Sequence, residues 1–110
     1  MRIPLSAPDI RETDIEAVTG VLRSPHLSLG PKLEEFENAI AKYAGTPNAI
    51  AVSSGTSGLH LCVRALGIGE GDEVIVPSFT FIAVANAVRH ANATPVFVDI
   101  EPQTLNLDPS

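Results

Sequence analysis

Ala49-Ile50-Ala51-Val52-Ser53-Ser54-Gly55-Thr56-Ser57-Gly58-Leu59-His60-Leu61 is the stretch whose reading decides the fold. Its first four residues are a short apolar run that reads as a strand at 49–52. Ser53 to Gly58 is a turn of small and hydroxyl residues. Leu59 to Leu66 reads as a helix whose buried face would be Leu59, Cys62, Val63 and Leu66, with Gly67 closing it. A small-residue turn between a strand and a helix start offers free backbone N–H groups and hydroxyls to one point. The helix dipole adds partial positive charge there. The arrangement is a seat for a phosphate. In a chain of formal net charge −6 it is a local device, because the surface as a whole is acidic.

Strands and helices alternate outward from this unit. Gly69-Glu70-Gly71-Asp72 is a turn, Glu73 to Pro77 a buried strand, Phe81 to Ala91 an alanine-rich helix closing near Asn92, and Pro95 to Asp99 a further strand. Upstream, Thr13 with Glu16 reads as a capping box opening an amphipathic helix over about 14–23, with Ile15, Val18 and Leu22 at helical spacing. Ser24 to Gly30 is a loop. Pro31 suits a first helical position, and Leu33, Phe36, Ile40 and Tyr43 mark the face of a helix that stops near Gly45. Asp108-Pro109-Ser110 reads as the start of another helix. Alternation of this kind predicts parallel βαβ units with right-handed crossovers, hence an α/β fold with three αβα layers. Ligands of such sheets gather at the carboxyl ends of the strands.

Composition narrows the function classes. With 45% hydrophobic and 18% charged residues, the 110-residue chain is expected to be globular, with one small domain's worth of sequence. The acidic balance argues against nucleic acid and anionic membrane as partners. No apolar run approaches bilayer length, and Met1 to Ser6 lacks the apolar core of a signal peptide. A single cysteine, Cys62, allows no internal disulfide and fits a reducing, cytoplasmic setting. It shares the apolar stripe of its helix, so core packing is the expected role. His26, His60 and His90 lack metal spacing. His60 is expected to pack or bond locally, and His90 to complement a helix C-terminus. Asp99 reads as a strand-end residue capping the next turn.

Four blocks together resemble the DegT/DnrJ/EryC1/StrS family of pyridoxal-phosphate (PLP) sugar aminotransferases, of PLP fold type I. They are Gly30-Pro31-Lys32-Leu33-Glu34-Glu35-Phe36-Glu37, Ser54-Gly55-Thr56-Ser57-Gly58-Leu59-His60-Leu61, the run from Gly69 to Phe81, and Ala93-Thr94-Pro95-Val96-Phe97-Val98-Asp99-Ile100. The resemblance implies a large domain of the aspartate aminotransferase type, of which residues 1–110 would be the N-terminal helices and the first, incomplete part. It implies that Gly55, Thr56 and Ser57 hold the cofactor phosphate, that Phe81 stacks on the pyridine ring, and that Asn86 is a polar position on the same helix. It also implies amino transfer, usually from glutamate, to a nucleotide-linked keto sugar, in a homodimer serving polysaccharide or antibiotic sugar synthesis. The loop before Gly30 would lie near the dimer interface and the sugar-nucleotide entrance.

Two departures from the family pattern are Ser57, where many relatives carry Ala, and Val84, where many carry Thr or Ser. The Ser57 hydroxyl could add a phosphate contact, whereas Val84 would leave its helix face apolar. Lys32 and Lys42 are the only lysines, and neither matches the family's catalytic position, so this stretch alone is expected to be inactive. In fold type I the first large-domain strand is separated in the sheet from the next two. The run at 49–52 is therefore expected to lack its neighbour here, leaving residues 1–110 in isolation marginal, aggregated, rearranged or swapped. Alternative readings are a PLP-dependent sugar dehydratase of the same family, another fold type I enzyme such as a cysteine desulfurase, and a non-catalytic phosphate-binding or interaction module.

Overall fold

The computed structural model describes residue 4 and residues 6–110. They form two compact units, residues up to Ala51 and Val52–Ser110.

The first unit holds helices α1 (Glu12–Leu22) and α2 (Pro31–Ala44). The start of α1 differs from expectation. Arg11 is the cap residue, its backbone N–H donates to Asp14 Oδ2 at 2.9 Å, and the Asp14 N–H returns to the Arg11 carbonyl at 3.0 Å. The reciprocal box thus belongs to Asp14 rather than to Thr13 and Glu16. An aspartate three residues after the cap reaches the backbone as well as a glutamate would, and the helix gains a turn's worth of acidic charge at its positive end. Helix α2 follows the sequence reading closely, with Pro31 at its start and Gly45 at φ 67° after its end. There Thr46 N–H reaches back to the Ala41 carbonyl at 3.0 Å, a closure that requires the left-handed conformation glycine adopts freely.

The apolar stripes of both helices are present but uncovered in this unit. Ile15, Val18, Leu22, Phe36 and Tyr43 are exposed, and Ala41 is the buried residue of α2. Among the described residues α1 and α2 do not pack along each other.

The second unit is an α3–β1–α4–β2 body: α3 (Gly55–Ala65), β1 (Glu73–Pro77), α4 (Ala83–His90) and β2 (Thr94–Val98). Strands β1 and β2 pair in parallel, with Ile75 opposite Val96. Ser78 N–H to the Val98 carbonyl (2.8 Å) and Thr94 N–H to the Asp72 carbonyl (2.9 Å) extend the pairing at its two ends. The run at 49–52 is not a strand, which corrects the expected element. A strand needs a ladder, and none of the described segments pairs with it; Ala51 N–H instead donates to Glu37 Oε1 at 2.8 Å.

The core of this unit lies between α4 and the sheet. Val76, Val88 and Ala93 are fully buried, with Ile68, Val74 and Val84 packed around them. Helix α4 is alanine-rich because it is approached from two sides, by the strands and by α3. Ala83, Ala85, Ala87 and Val88 are all buried, whereas Asn86, Arg89 and His90 share the open arc. Val84 joins the apolar side, as its departure from a hydroxyl residue implied.

The stripe on α3 is a correction. Leu59 and Leu66 are exposed, as is Cys62, because α3 packs against α4 alone among the described elements. The helices end as their sequences predict. Gly67 (φ 78°) and Asn92 (φ 64°) are both left-handed, and Ile68 N–H and Ala93 N–H fold back to the Val63 and Val88 carbonyls. In the turn before β1, Gly69 N–H binds Asp72 Oδ2 at 2.8 Å while Gly71 takes φ 90°.

After β2 the chain forms a small antiparallel loop in which Ile100 bridges Leu107. Residues 108–110 are not helical, contrary to expectation. Asp108 Oδ1 accepts the Ser110 N–H at 2.9 Å, and this bond, with one from the Ser110 hydroxyl, holds its carboxyl below the usual range.

Candidate functional site

The site is built at the first turn of α3. Ser54 is the N-cap, in extended conformation (φ −161°, ψ 160°), and its Oγ accepts the Ser57 N–H at 3.1 Å. The Ser54 carbonyl accepts the Gly58 N–H at 3.1 Å. Ser57 Oγ lies 2.9 Å from Ser54 Oγ and 3.4 Å from Ser53 Oγ, which ties the three hydroxyls into a chain. The helix therefore starts at Gly55, four residues earlier than the apolar pattern suggests, and the supposed turn is its first coil. Apolar periodicity cannot detect a helical turn made of Gly, Thr, Ser and Gly, since none of these residues has a stripe to show.

This geometry divides the labour among the three predicted phosphate residues. The Ser57 N–H is turned to its own cap. Among the described residues, the N–H groups of Gly55 and Thr56 and the Thr56 hydroxyl make no hydrogen bond. A Cβ built on Gly55 would meet nothing within 4 Å, so the approach to these donors is open. Two unpaired N–H groups, a free hydroxyl and the positive end of an eleven-residue helix suit an anion. The residues present thus fit a phosphate.

Phe81 precedes α4, where its carbonyl accepts the Val84 N–H at 3.2 Å; the residue is 77% exposed, which leaves its ring available to stack on a flat ligand. Asn86 lies on the open arc of α4 and makes no side-chain hydrogen bond among the described residues. The packing of α3 on α4 holds all five predicted residues on one body. Asp99 uses its Oδ1 to accept the Ile100 N–H at 2.8 Å, the strand-end capping role read from the sequence. Ser54 is the residue sequence reading passed over. Its signal was a serine directly before a helix start, three residues ahead of the amide it caps.

Among the described residues no helix is long and apolar enough to cross a membrane. Residues 8–110 match the model of the DegT/DnrJ/EryC1/StrS aminotransferase family. The chain is 48% identical to the spore coat polysaccharide biosynthesis protein SpsC of Bacillus subtilis (strain 168) over 107 residues, covering 97% of this chain and 28% of that protein. It superposes with a TM-score of 0.90 and 42% identity on the PLP form of Spr1654 from Streptococcus pneumoniae, assigned as a sugar aminotransferase, covering 98% of this chain and 28% of that one. The likeness extends, at 29% identity and a TM-score of 0.87, to the E. coli GDP-4-keto-6-deoxy-D-mannose-3-dehydratase with bound hydrated PLP, covering 97% of this chain and 29% of that one. The chain thus spans a little over a quarter of the length of the relatives it matches, with the PLP-dependent aminotransferase fold. It belongs to the DegT/DnrJ/EryC1/StrS aminotransferase family.

Proposed function

We propose that the protein containing this chain is a PLP-dependent aminotransferase that moves an amino group, with glutamate as donor, onto a nucleotide-linked keto sugar for polysaccharide or antibiotic sugar synthesis. The observation that carries the reading is the open first turn of α3, with the Gly55 and Thr56 N–H groups and the Thr56 hydroxyl unpaired at a helix N-terminus. In this reading those three donors hold the cofactor phosphate. Ser57 braces the turn through Ser54, and its hydroxyl adds a contact to the phosphate. Phe81 stacks on the ring, fixing its tilt, and Asn86 supplies a polar contact from α4. When bound, the cofactor supplies an electron sink for amino-group transfer.

Residues 1–110 would be the N-terminal helices and the first part of the large domain. The catalytic lysine and the carboxylate facing the pyridine nitrogen would lie elsewhere in the protein. The exposed stripes of α1 and α2 agree with a homodimer, and the single cysteine with a cytoplasmic location.

A dehydratase is the second reading, favoured by the likeness to the E. coli enzyme. It shares this phosphate seat, so residues 1–110 serve either chemistry. The test has two parts. PLP and pyridoxal, which lacks the phosphate, are titrated into the full chain and into Thr56→Val. A hydrogen bond to a charged phosphate is worth about 1.5–3 kcal/mol, so the preference for PLP should shrink by roughly 10- to 160-fold. An unchanged preference would remove Thr56 from the seat. The full chain is then given glutamate and a nucleotide-linked keto sugar. Formation of 2-oxoglutarate with the amino sugar supports amino transfer, and loss of water from the sugar supports the dehydratase.

A further inference from the structure

Outside the phosphate seat, one pair of side chains has the chemistry and spacing of a ligand site. His60, midway along α3, and His90, in the last turn of α4, place their ring centroids 5.7 Å apart with their planes at 68°. Among the described residues neither imidazole makes a hydrogen bond or ion pair, so each keeps a lone pair for an added partner. His60 is half-buried and His90 exposed, so the pair has a fixed side and an open side.

With a metal–nitrogen bond of about 2.0–2.1 Å and a ring radius of roughly 1.2 Å, a shared metal would lie about 3.2 Å from each centroid. Centroids 5.7 Å apart then subtend roughly 125° at the metal, slightly wider than the trigonal value, and small ring rotations close the difference. The carbonyl end of α4, which carries His90, adds a negative field that favours a cation.

We propose that His60 and His90 form a two-imidazole site for a borderline divalent metal (copper, nickel or zinc), with water completing the coordination, and that the metal clamps α3 to α4. Imidazole ligands suit these metals over magnesium or calcium. Among the described residues no third His, Cys, Asp or Glu joins the pair. The site is therefore open and exchangeable rather than a closed structural centre. Arg64 stands one turn beyond His60, but its guanidinium reaches toward Gly69, within 3.6 Å of a Cβ built there.

The test titrates Cu2+, Ni2+ or Zn2+ alone into the full chain before any cofactor is added. Heat of binding gives the stoichiometry, and Cu2+ electron paramagnetic resonance gives the number of coordinated nitrogens. One metal per chain with two imidazole nitrogens is expected. Losing an outer-shell partner of a metal ligand already costs 10–100-fold in affinity, so His60→Gln and His90→Gln should each weaken binding by about tenfold or more. His90→Phe separates the metal from ring packing: it preserves an edge-to-face contact and the metal-free unfolding temperature but loses the metal. Binding that survives in both single variants, binding lost only in His26→Gln, or no binding at millimolar metal would each overturn the proposal.

Discussion

Replacing Ser54 by alanine isolates what the cap contributes to the phosphate seat. The structure gives Ser54 Oγ one bond to the Ser57 N–H (3.1 Å) and one to the Ser57 hydroxyl (2.9 Å) at an exposed helix start. Removing a serine cap costs about 0.5–2 kcal/mol, typically ~1. One kcal/mol is roughly a fivefold change in the folded-to-unfolded ratio. Ser54→Gly should cost only a few tenths, because glycine leaves the cap backbone free for water to replace the hydroxyl. The seat adds a second, opposing effect. Ser54→Ala frees the Ser57 N–H, which joins those of Gly55 and Thr56 at the helix end, and an anion docked there would satisfy it. The penalty should therefore be largest without cofactor and shrink when PLP is present. Denaturant unfolding of the full chain, with and without PLP, measures both. A Ser54→Ala protein as stable as wild type, or one whose deficit is unchanged by PLP, would refute the reasoning that cap and phosphate share the same amides.

Three further outcomes are expected. Gly30→Ala should destabilise by about 1–3 kcal/mol in thermal unfolding, because its Cβ would lie 2.9 Å from the His26 carbonyl oxygen; φ is −79°, so the cost is steric and not conformational. Val88→Ala removes two methyl groups from the buried α4–sheet contact and should cost about 1.5–3 kcal/mol, whereas Ile75→Ala, at an exposed position on β1, should stay within about 0.5 kcal/mol. The Glu101 carboxyl is held below its ordinary pKa, first by the Gln103 backbone N–H and then by the Thr104 hydroxyl and N–H. Its folded value is depressed, so the contribution is present above the unfolded value of 4.5 and is lost as pH falls through the folded one. The Gln103 and Thr104 amide resonances should move with a midpoint below 4.5, and Glu101→Gln should abolish that titration.

Legibility from sequence followed the kind of signal each element carries. Helix α2 and the ends of α3 and α4 were legible because their signals are single residues with one backbone use: Pro31 at a start, and Gly45, Gly67 and Asn92 in left-handed closures. The parallel pair β1–β2 was legible from two apolar runs separated by a helical pattern. The start of α1 was misplaced because two acidic residues, Asp14 and Glu16, each complete a plausible box, and the choice depends on where the preceding chain turns. The candidate site was legible as a turn of small and hydroxyl residues ahead of a helix, but not in which donors it leaves free. The sequence marks Gly55 to Ser57 as a phosphate seat by resemblance, yet which amides remain free is decided by a single hydroxyl, that of Ser54.

The stretch 49–52 and the stripe of α3 make the same physical point from opposite sides. A periodic apolar face is a property of the sequence; its burial is a property of whatever lies over it. Ile50, Leu59 and Leu66 are placed where the pattern requires, yet all three are exposed, at 81%, 41% and 77%. The backbone of 49–52 shows the same deficit in hydrogen bonds, with the Ala51 N–H taken by the Glu37 carboxylate in place of a neighbouring strand. A side-chain acceptor can serve one amide of an extended run, whereas a ladder serves alternate amides along its whole length. Leu59 and Leu66 recur on one helix at the spacing of a buried face, which sets them apart from ordinary surface leucines that occur singly.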